Sequence, residues 1–270
     1  MHALRYATHE VNGLLRKPKG LIVMLLFIIL WCAWMDIPMA WLYKKSLVTP
    51  SLKSLASDLP SLTRDQVDGL SMWPSYITAA IWYIGLFVFP TLPLLLSSDL
   101  MVSDLQRGTI RFFTLRSTRR SFLLGRFLGQ VFNLSVFIAV ALLVTIGFLK
   151  YWGSSTLNQE MWALSISGLN FLIISMPVLG LLTLASVFAS TPRRAMLWAV
   201  LTWSVLTWVI GYITDVYPAM SYLHFLVPGH QLSDLISLYG LKSLTLAPIA
   251  IVQTLIFLLG ADYLLRRGDL

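Results

Sequence analysis

Six continuous apolar runs, each long enough to cross a lipid bilayer as a helix, divide this chain. They lie at 20–43, 75–96, 127–149, 162–189, 195–214 and 244–265. A hydrocarbon core of about 30 Å requires about 20 helical residues, and every run meets that length. Membrane barrels are built from short alternating segments, whereas these runs are continuous. The sequence therefore predicts an all-α integral membrane protein, with a single transmembrane domain over 1–270.

The composition excludes the main soluble classes. Hydrophobic residues make up 57% of the chain and charged residues only 12%, against roughly 45–50% and about 25% in soluble domains. Too little polar surface remains for a soluble enzyme or a disordered chain. Cys32 is the one cysteine, which excludes an intrachain disulfide and a cysteine metal cluster. The first apolar run is too long for the core of a cleavable signal peptide.

Basic residues are distributed unequally between the two sides of the predicted spans. With the N-terminus inside, 14 of the 20 lysines and arginines fall in inner segments and 6 in outer ones. This split favours both termini in the cytoplasm of an inner (plasma) membrane, and it explains the net charge of +8 without a nucleic-acid partner. Residues 1–19 mix basic and apolar side chains, a pattern typical of a helix lying in the membrane surface. Six tryptophans near the outer interface are expected to form an aromatic belt: Trp31, Trp34, Trp41, Trp73, Trp152 and Trp162.

Motifs for catalysis and for ion coupling are missing from the sequence. It contains no phosphate-loop motif for ATP, and no His-Glu-x-x-His metal motif. His224 and His230 with Asp234 are compatible with a surface metal site, but a solvated loop is the preferred interpretation. Asp36 and Asp262 are predicted near the two interfaces, so no ion relay is evident at mid-depth. The mid-depth polar residues are neutral and are expected to hydrogen-bond across helices: Asn133, Ser135, Asn170, Ser175, Ser204, Thr207 and Gln253.

The segment 97–126 is the longest basic stretch between spans. Its first part continues the second span as a helix, and Arg107-Gly108-Thr109 is predicted to end that helix. Ser121 is predicted to cap the helix of the third span. A loop that only fixes topology needs neither the glycine break nor the apolar residues Ile110, Phe113 and Leu115. The pattern therefore indicates a function beyond topology.

This segment resembles the first cytoplasmic loop of type-two ABC permeases, the membrane subunits of ATP-driven exporters of lipids, glycans, drugs and peptides. The matching residues are Asp104, Gly108-Thr109, Ile110–Leu115, Ser117–Arg120 and Gly125-Arg126. Gln106 departs from the pattern, because the family usually has Glu just before this Gly-Thr. The resemblance extends to the surface N-terminal helix, the six spans, and the semi-apolar outer segment 215–243 before the last span.

The resemblance implies a coupling helix within 97–126 that docks on a cytoplasmic ABC ATPase. The residues it assigns to this contact are Asp104, Arg107, Gly108, Thr109, Arg111, Phe112, Phe113 and Arg116. It also implies a second permease subunit, in a homodimer that binds two ATPase copies. ATP and Mg would act through the ATPase, with no cofactor and no catalytic or metal site in this chain. The segment 215–243 would form re-entrant outer helices.

The expected substrate is amphipathic, a lipid, a peptide or a drug-like compound. Its path is predicted to be lined by neutral and aromatic side chains: Trp82, Asn133, Asn170, Trp203 and Trp208. Two alternatives remain open from the sequence. One is a membrane scaffold or assembly protein without transport activity, and the other is a secondary transporter, which the missing midplane charges disfavour.

The basic-residue split predicts which segments an impermeant reagent reaches in intact cells. Single cysteines at Ser61 and at Ser117, in a Cys32→Ser background, test it. We expect an impermeant maleimide to label the cysteine at 61 and to leave that at 117 unlabelled until the cells are permeabilised. The reverse labelling pattern would contradict the proposed orientation.

Overall fold

The computed structural model describes residues 18–45, 63–96, 102, 118–151 and 157–267; the side chains of 18–20, 34, 36–45, 76 and 119 are outside the description. Its α-helices are α1 (Pro18–Lys45), α2 (Arg64–Ser71), α3 (Tyr76–Leu96), α4 (Arg119–Tyr151), α5 (Leu157–Phe188), α6 (Pro192–Val216), α7 (Leu232–Ser237) and α8 (Ala247–Arg267). Two 3₁₀ helices, Pro218–Leu226 and Gly240–Leu246, flank α7.

The all-helical prediction is confirmed over the described ranges, which contain no strand. Five helices, α3, α4, α5, α6 and the run ending in α8, are long and apolar enough to cross a membrane. The first predicted span falls in α1, a helix of 28 residues, whose described apolar stretch is Leu21–Ala33. The count of six spans and the segment boundaries within one domain stay predictions. The interfacial helix over 1–19, apart from its last two residues, lies outside the described residues.

Local capping residues fix where two of the long helices begin. Thr191, in extended conformation, accepts a hydrogen bond from the Arg194 backbone N–H at 3.3 Å, and Pro192 occupies the first turn. The prediction that Ser121 caps the third span is wrong. Thr118 is the cap, since its Oγ1 accepts from the Ser121 N–H at 3.3 Å. The helix therefore starts about one turn earlier than a cap at Ser121 would place it.

Helix α5 is the centre of the bundle, packed against α3, α4, α6 and α8. A Cβ added at Gly180 would lie 3.3 Å from both the Phe257 Cβ and the Thr254 carbonyl oxygen, so this glycine permits close approach of α8. By contrast, α6 buries few residues and exposes a row of large apolar side chains. The two faces of α6 therefore meet different surroundings, the bundle on one side and lipid or another chain on the other.

The buried hydroxyls of α5 are satisfied within the helix itself. Ser167, Ser175 and Thr183 each donate to the carbonyl oxygen four residues earlier, at 2.6–2.8 Å. Ser186 donates to the Thr183 carbonyl oxygen at 2.7 Å. An unpaired hydroxyl in an apolar interior costs about 1–3 kcal/mol. These internal bonds allow a helix with many polar residues to occupy the core.

A continuous aromatic column links α1, α3 and α5 to the segment after α6. Its ring centroids lie 4.8–5.7 Å from one to the next. In spatial order it consists of Tyr239, Trp73, Trp82, Phe171, Phe89 and Trp31. Aromatic pairs at such distances contribute about 0.5–1.5 kcal/mol beyond their buried area.

The aromatic column changes the interpretation of the tryptophan belt. Trp31 and Trp73 are each only 4% exposed, so they pack inside the bundle and face no headgroups. Trp162 is exposed, as a belt residue would be. Hydropathy gives the position of these residues along the helices, but it does not distinguish the lipid-facing side from the buried side.

Gly85 on α3 packs directly against the Phe171 ring, where a Cβ would overlap it. We expect Gly85→Ala to lower the free energy of unfolding by about 1–3 kcal/mol, because the stacked rings have no room to move. Gly147→Ala is the matched control, since a Cβ there meets no atom within 4 Å. The control is expected to be neutral or to stabilise by up to about 1 kcal/mol. Thermal unfolding followed by tryptophan fluorescence measures both, and equal melting temperatures would contradict the packing argument.

Candidate functional site

The stretch between α3 and α4, which the sequence predicts to be cytoplasmic, is flanked by two contacts with other parts of the bundle. Val102, fully buried, packs with Ala189 and Ala195, which stand on either side of the α5–α6 turn. On the other flank, Arg120 Nε donates to Asp262 Oδ2 of α8 at 2.9 Å. Val102 therefore connects the stretch to the α5–α6 turn, and Arg120, in the first turn of α4, connects the helix that follows the stretch to α8.

Asp262 is the centre of an ion-pair cluster at this end of the bundle. Its Oδ2 also lies 3.2 Å from Arg266 Nε, one turn along α8. The Asp262 side chain is 12% exposed, whereas the Arg120 and Arg266 side chains are 60% and 52% exposed. The Asp262 carboxylate is thus largely buried and pairs with two arginines whose side chains are more than half exposed.

The residues predicted to contact the ATPase lie outside the described residues. They are Asp104, Arg107, Gly108, Thr109, Arg111, Phe112, Phe113 and Arg116. Their role stays a prediction from the sequence.

The five predicted path residues are placed in different surroundings. Trp82 is fully buried in the aromatic column, and Asn170 is buried in α5. Asn133 is 8% exposed, and its Oδ1 has no partner among the described residues. Trp203 is half-buried against the core, while Trp208 is 74% exposed and stacks on Tyr212. One copy of the chain does not bring these side chains to a common surface, and the substrate path stays a prediction.

Two of the mid-depth amides tie the segment after α6 to the bundle. Asn170 Nδ2 donates to Ser243 Oγ at 2.8 Å. Gln253 Nε2 donates to the carbonyl oxygens of Phe225 at 2.7 Å and Val227 at 3.1 Å. These bonds agree with the expectation of polar contacts across helices.

The mid-depth hydroxyls differ from that expectation. Ser135, Ser175 and Thr207 donate instead to backbone carbonyls of their own helices. The physical reason is reach: a hydroxyl on a short side chain closes a bond to its own preceding turn, whereas an amide on a longer side chain extends to a neighbour.

Glu160 is a buried residue that lies just outside the span predicted at 162–189. It is fully buried in the first turn of α5, and neither carboxylate oxygen has a hydrogen-bond partner among the described residues. The signal was the Thr156-Leu157-Asn158-Gln159 pattern, a capping-box sequence that predicts a helix beginning at 157. Glu160 lies about 5 Å along the axis from the start of that helix, and so away from the bilayer midplane.

Asp262→Asn tests the ion-pair cluster. We expect the free energy of unfolding to fall by up to about 2 kcal/mol, because each of the two ion pairs contributes about 0–1 kcal/mol when its arginine is half-exposed. Asp215→Asn is the matched control, since Asp215 is exposed at the end of α6. Thermal unfolding of the purified protein measures the difference, and a melting temperature equal to that of the control would contradict the role of Asp262.

Comparison with known proteins assigns the chain to a family. No curated protein matches the sequence. The family model described as ABC-2 family transporter protein matches residues 4–269, nearly the whole chain. This agrees with the bundle of long apolar helices and with the motif in 97–126. The chain belongs to the ABC-2 family of transporter proteins, as a multi-pass membrane permease subunit of an ABC transporter.

Proposed function

We propose that this permease exports an amphipathic substrate, a lipid, a peptide or a drug-like compound, using ATP hydrolysed by a separate ABC ATPase. Family membership over 4–269 is the observation that carries the proposal. The sequence itself has no phosphate-loop motif, so nucleotide binding belongs to the partner. The neutral and aromatic interior of the bundle suits a substrate with apolar surface. Export across the inner membrane, with both termini cytoplasmic, agrees with the distribution of lysine and arginine.

Energy transmission in this proposal runs through the stretch between α3 and α4. The ATPase would bind the apolar residues around Phe113 and move the stretch as a rigid body. Val102 at its start contacts the α5–α6 turn, and Arg120 at its end pairs with Asp262 on α8. Movement of the docked stretch would therefore reach α5, α6 and α8 together. The arginines of the stretch would guide the encounter with the ATPase.

A gradient-driven mechanism has little support in the described residues. Asp262 is held by two arginines at one end of the bundle. Glu160 lies at the opposite end of α5, as its position in the first turn requires. The mid-depth polar groups named above are neutral amides and hydroxyls. ATP hydrolysis by a partner is therefore the proposed energy source.

The permease is proposed to act as a homodimer with two ATPase copies. Trp208, Val205 and Leu201 lie on an exposed apolar row along α6. A second copy facing this row would place two sets of exposed aromatic side chains opposite each other. Such a dimer would enclose a path that one copy does not form, with Trp208 facing it.

The segment 215–243 is proposed to form the outer gate as re-entrant short helices. Pro228 and Gly229 lie between its first two short helices, Pro218–Leu226 and α7. A Cβ at Gly229 would lie 3.6 Å from the Trp203 ring. Trp203 stands 13 residues before the end of α6, about 20 Å along its axis. This proximity supports a segment that reaches toward the hydrocarbon.

Phe113→Asp tests ATPase docking. A charge left unpaired in an apolar contact costs several kcal/mol, so we expect at least a tenfold loss of the phosphate-loop ATPase that co-purifies with the permease. Phe113→Leu keeps the apolar contact and is expected to retain the ATPase. Light scattering of the intact complex reports whether two copies of each subunit are present.

Membrane insertion is expected to be equal in both variants. Wild-type amounts of ATPase on Phe113→Asp would contradict this docking site. If no ATPase accompanies even the unmodified permease, the scaffold alternative replaces the exporter.

A further inference from the structure

Two histidines in the segment after α6 lie face to face. The ring centroids of His224 and His230 are 4.6 Å apart, and the ring planes differ by 14°. Phe225 meets His230 edge-on, with centroids 6.3 Å apart. Imidazole lone pairs lie in the plane of the ring, so stacked rings do not aim two of them at one point. The arrangement therefore does not favour the metal site considered for His224, His230 and Asp234.

One ring is fixed to the end of α6. The Thr214 hydroxyl donates to the carbonyl oxygens of Ile210 and Gly211, each at 2.9 Å. The same hydroxyl lies 2.9 Å from His224 Nε2, in a hydrogen bond whose donor depends on the tautomer of the ring. This contact holds the His224 ring against the end of α6.

The chain between the two histidines is held against α8. Gln253, 1% exposed, donates through Nε2 to the carbonyl oxygens of Phe225 and Val227. Val227 is 6% exposed. Gly229 has φ of +86°, a conformation that favours glycine, and it reverses the chain so that His230 folds back onto His224. The stacked rings close this loop.

Protonation opposes the stack. A neutral pair, or a neutral ring on a charged one, is compatible with stacking at this distance, whereas two imidazolium ions repel each other. Partial burial lowers the pKa of His230, although the residue is largely exposed, and His224 lowers it further, while Asp234 acts in the opposite direction. A lowered pKa means that the packed segment binds protons less well than a released one. Its packing is therefore strongest above the ordinary histidine pKa and weakens as the pH falls.

The charged groups around the pair are few. Asp215 follows Thr214 on α6, and α8 carries no charged residue between Ala247 and Ala261. Asp234 and Lys242 belong to the segment itself, and α2, which packs on α7, carries Arg64, Asp65 and Asp68. Among these carboxylates Asp234 is the one that acts on His230, by raising its pKa, and a single negative charge does not balance two imidazolium charges.

We propose that His224 and His230 form a proton-binding clasp, which holds residues 218–232 against α6 and α8 and releases them when both rings are protonated. The clasp lies at the opposite end of α6 from Ala195, which packs with Val102, and it requires no nucleotide. It gives the permease a response to acidity on the side where this segment is exposed.

Thiol labelling of the full chain in lipid nanodiscs tests the clasp, in a Cys32→Ser background. Val227→Cys reports release, because Val227 is buried in the packed segment. Ser221→Cys, exposed on the same segment, corrects for the pH dependence of thiol chemistry. We expect the ratio of the maleimide labelling rates, position 227 over position 221, to rise at least about tenfold from pH 7.5 to pH 5.5, on either side of the usual histidine pKa.

Two neutral replacements remove the second charge. His230→Phe keeps the stacked ring, and His230→Gln keeps a polar side chain at this exposed position. With either replacement we expect the ratio to change less than about twofold over the same pH range. A flat ratio in the protein with both histidines overturns the proposal, and so does an undiminished rise in either replacement.

Discussion

Polar groups inside hydrocarbon must find their hydrogen-bond partners within the protein, and this requirement orders the bundle around α5. The α5 hydroxyls bond to their own helix, so that helix is able to occupy the centre with other helices on several sides. Asparagine and glutamine side chains are long enough to form hydrogen bonds to neighbouring helices and segments instead. Asn170 and Gln253 both use this reach to hold the segment that follows α6. The same chemistry thus builds the core and attaches the most irregular part of the fold to it.

Hydropathy alone predicts the helices, because the length of an apolar run is a property of the sequence. Hydropathy does not predict which face of each helix is buried. Trp31 and Trp73 are apolar and aromatic whether they meet lipid or protein, and only tertiary packing decides that they join the aromatic column. Glu160 and Thr118 show the limits at helix ends: one charged residue lies just outside a predicted span, and the cap lies three residues before Ser121. Glu160 follows a capping-box sequence that an apolar run starting at 162 does not include, whereas Thr118 and Ser121 are both capping residue types and only the folded helix distinguishes them.

The candidate sites likewise combine local features, which the sequence predicts, with long-range contacts, which it does not. The motif around Gly108-Thr109 is local, so the sequence alone is enough to predict it, and its role stays a prediction. The anchors of that stretch are not local. Val102 meets Ala189, and Arg120 meets Asp262, across separations of 87 and 142 residues that no periodicity encodes. The histidine clasp likewise depends on a glycine that reverses the chain, which places two residues six positions apart in stacking contact.

The aromatic column also has an optical consequence. The indoles of Trp73 and Trp82 lie 5.0 Å apart with their planes at 28°, close enough for their electronic transitions to mix. Such a pair gives a signed doublet in ultraviolet circular dichroism, and its intensity depends steeply on the separation and angle of the rings. Trp73 also touches Tyr239 in the segment after α6. The molecule therefore carries a label-free optical gauge of whether that segment is seated, readable without any substrate.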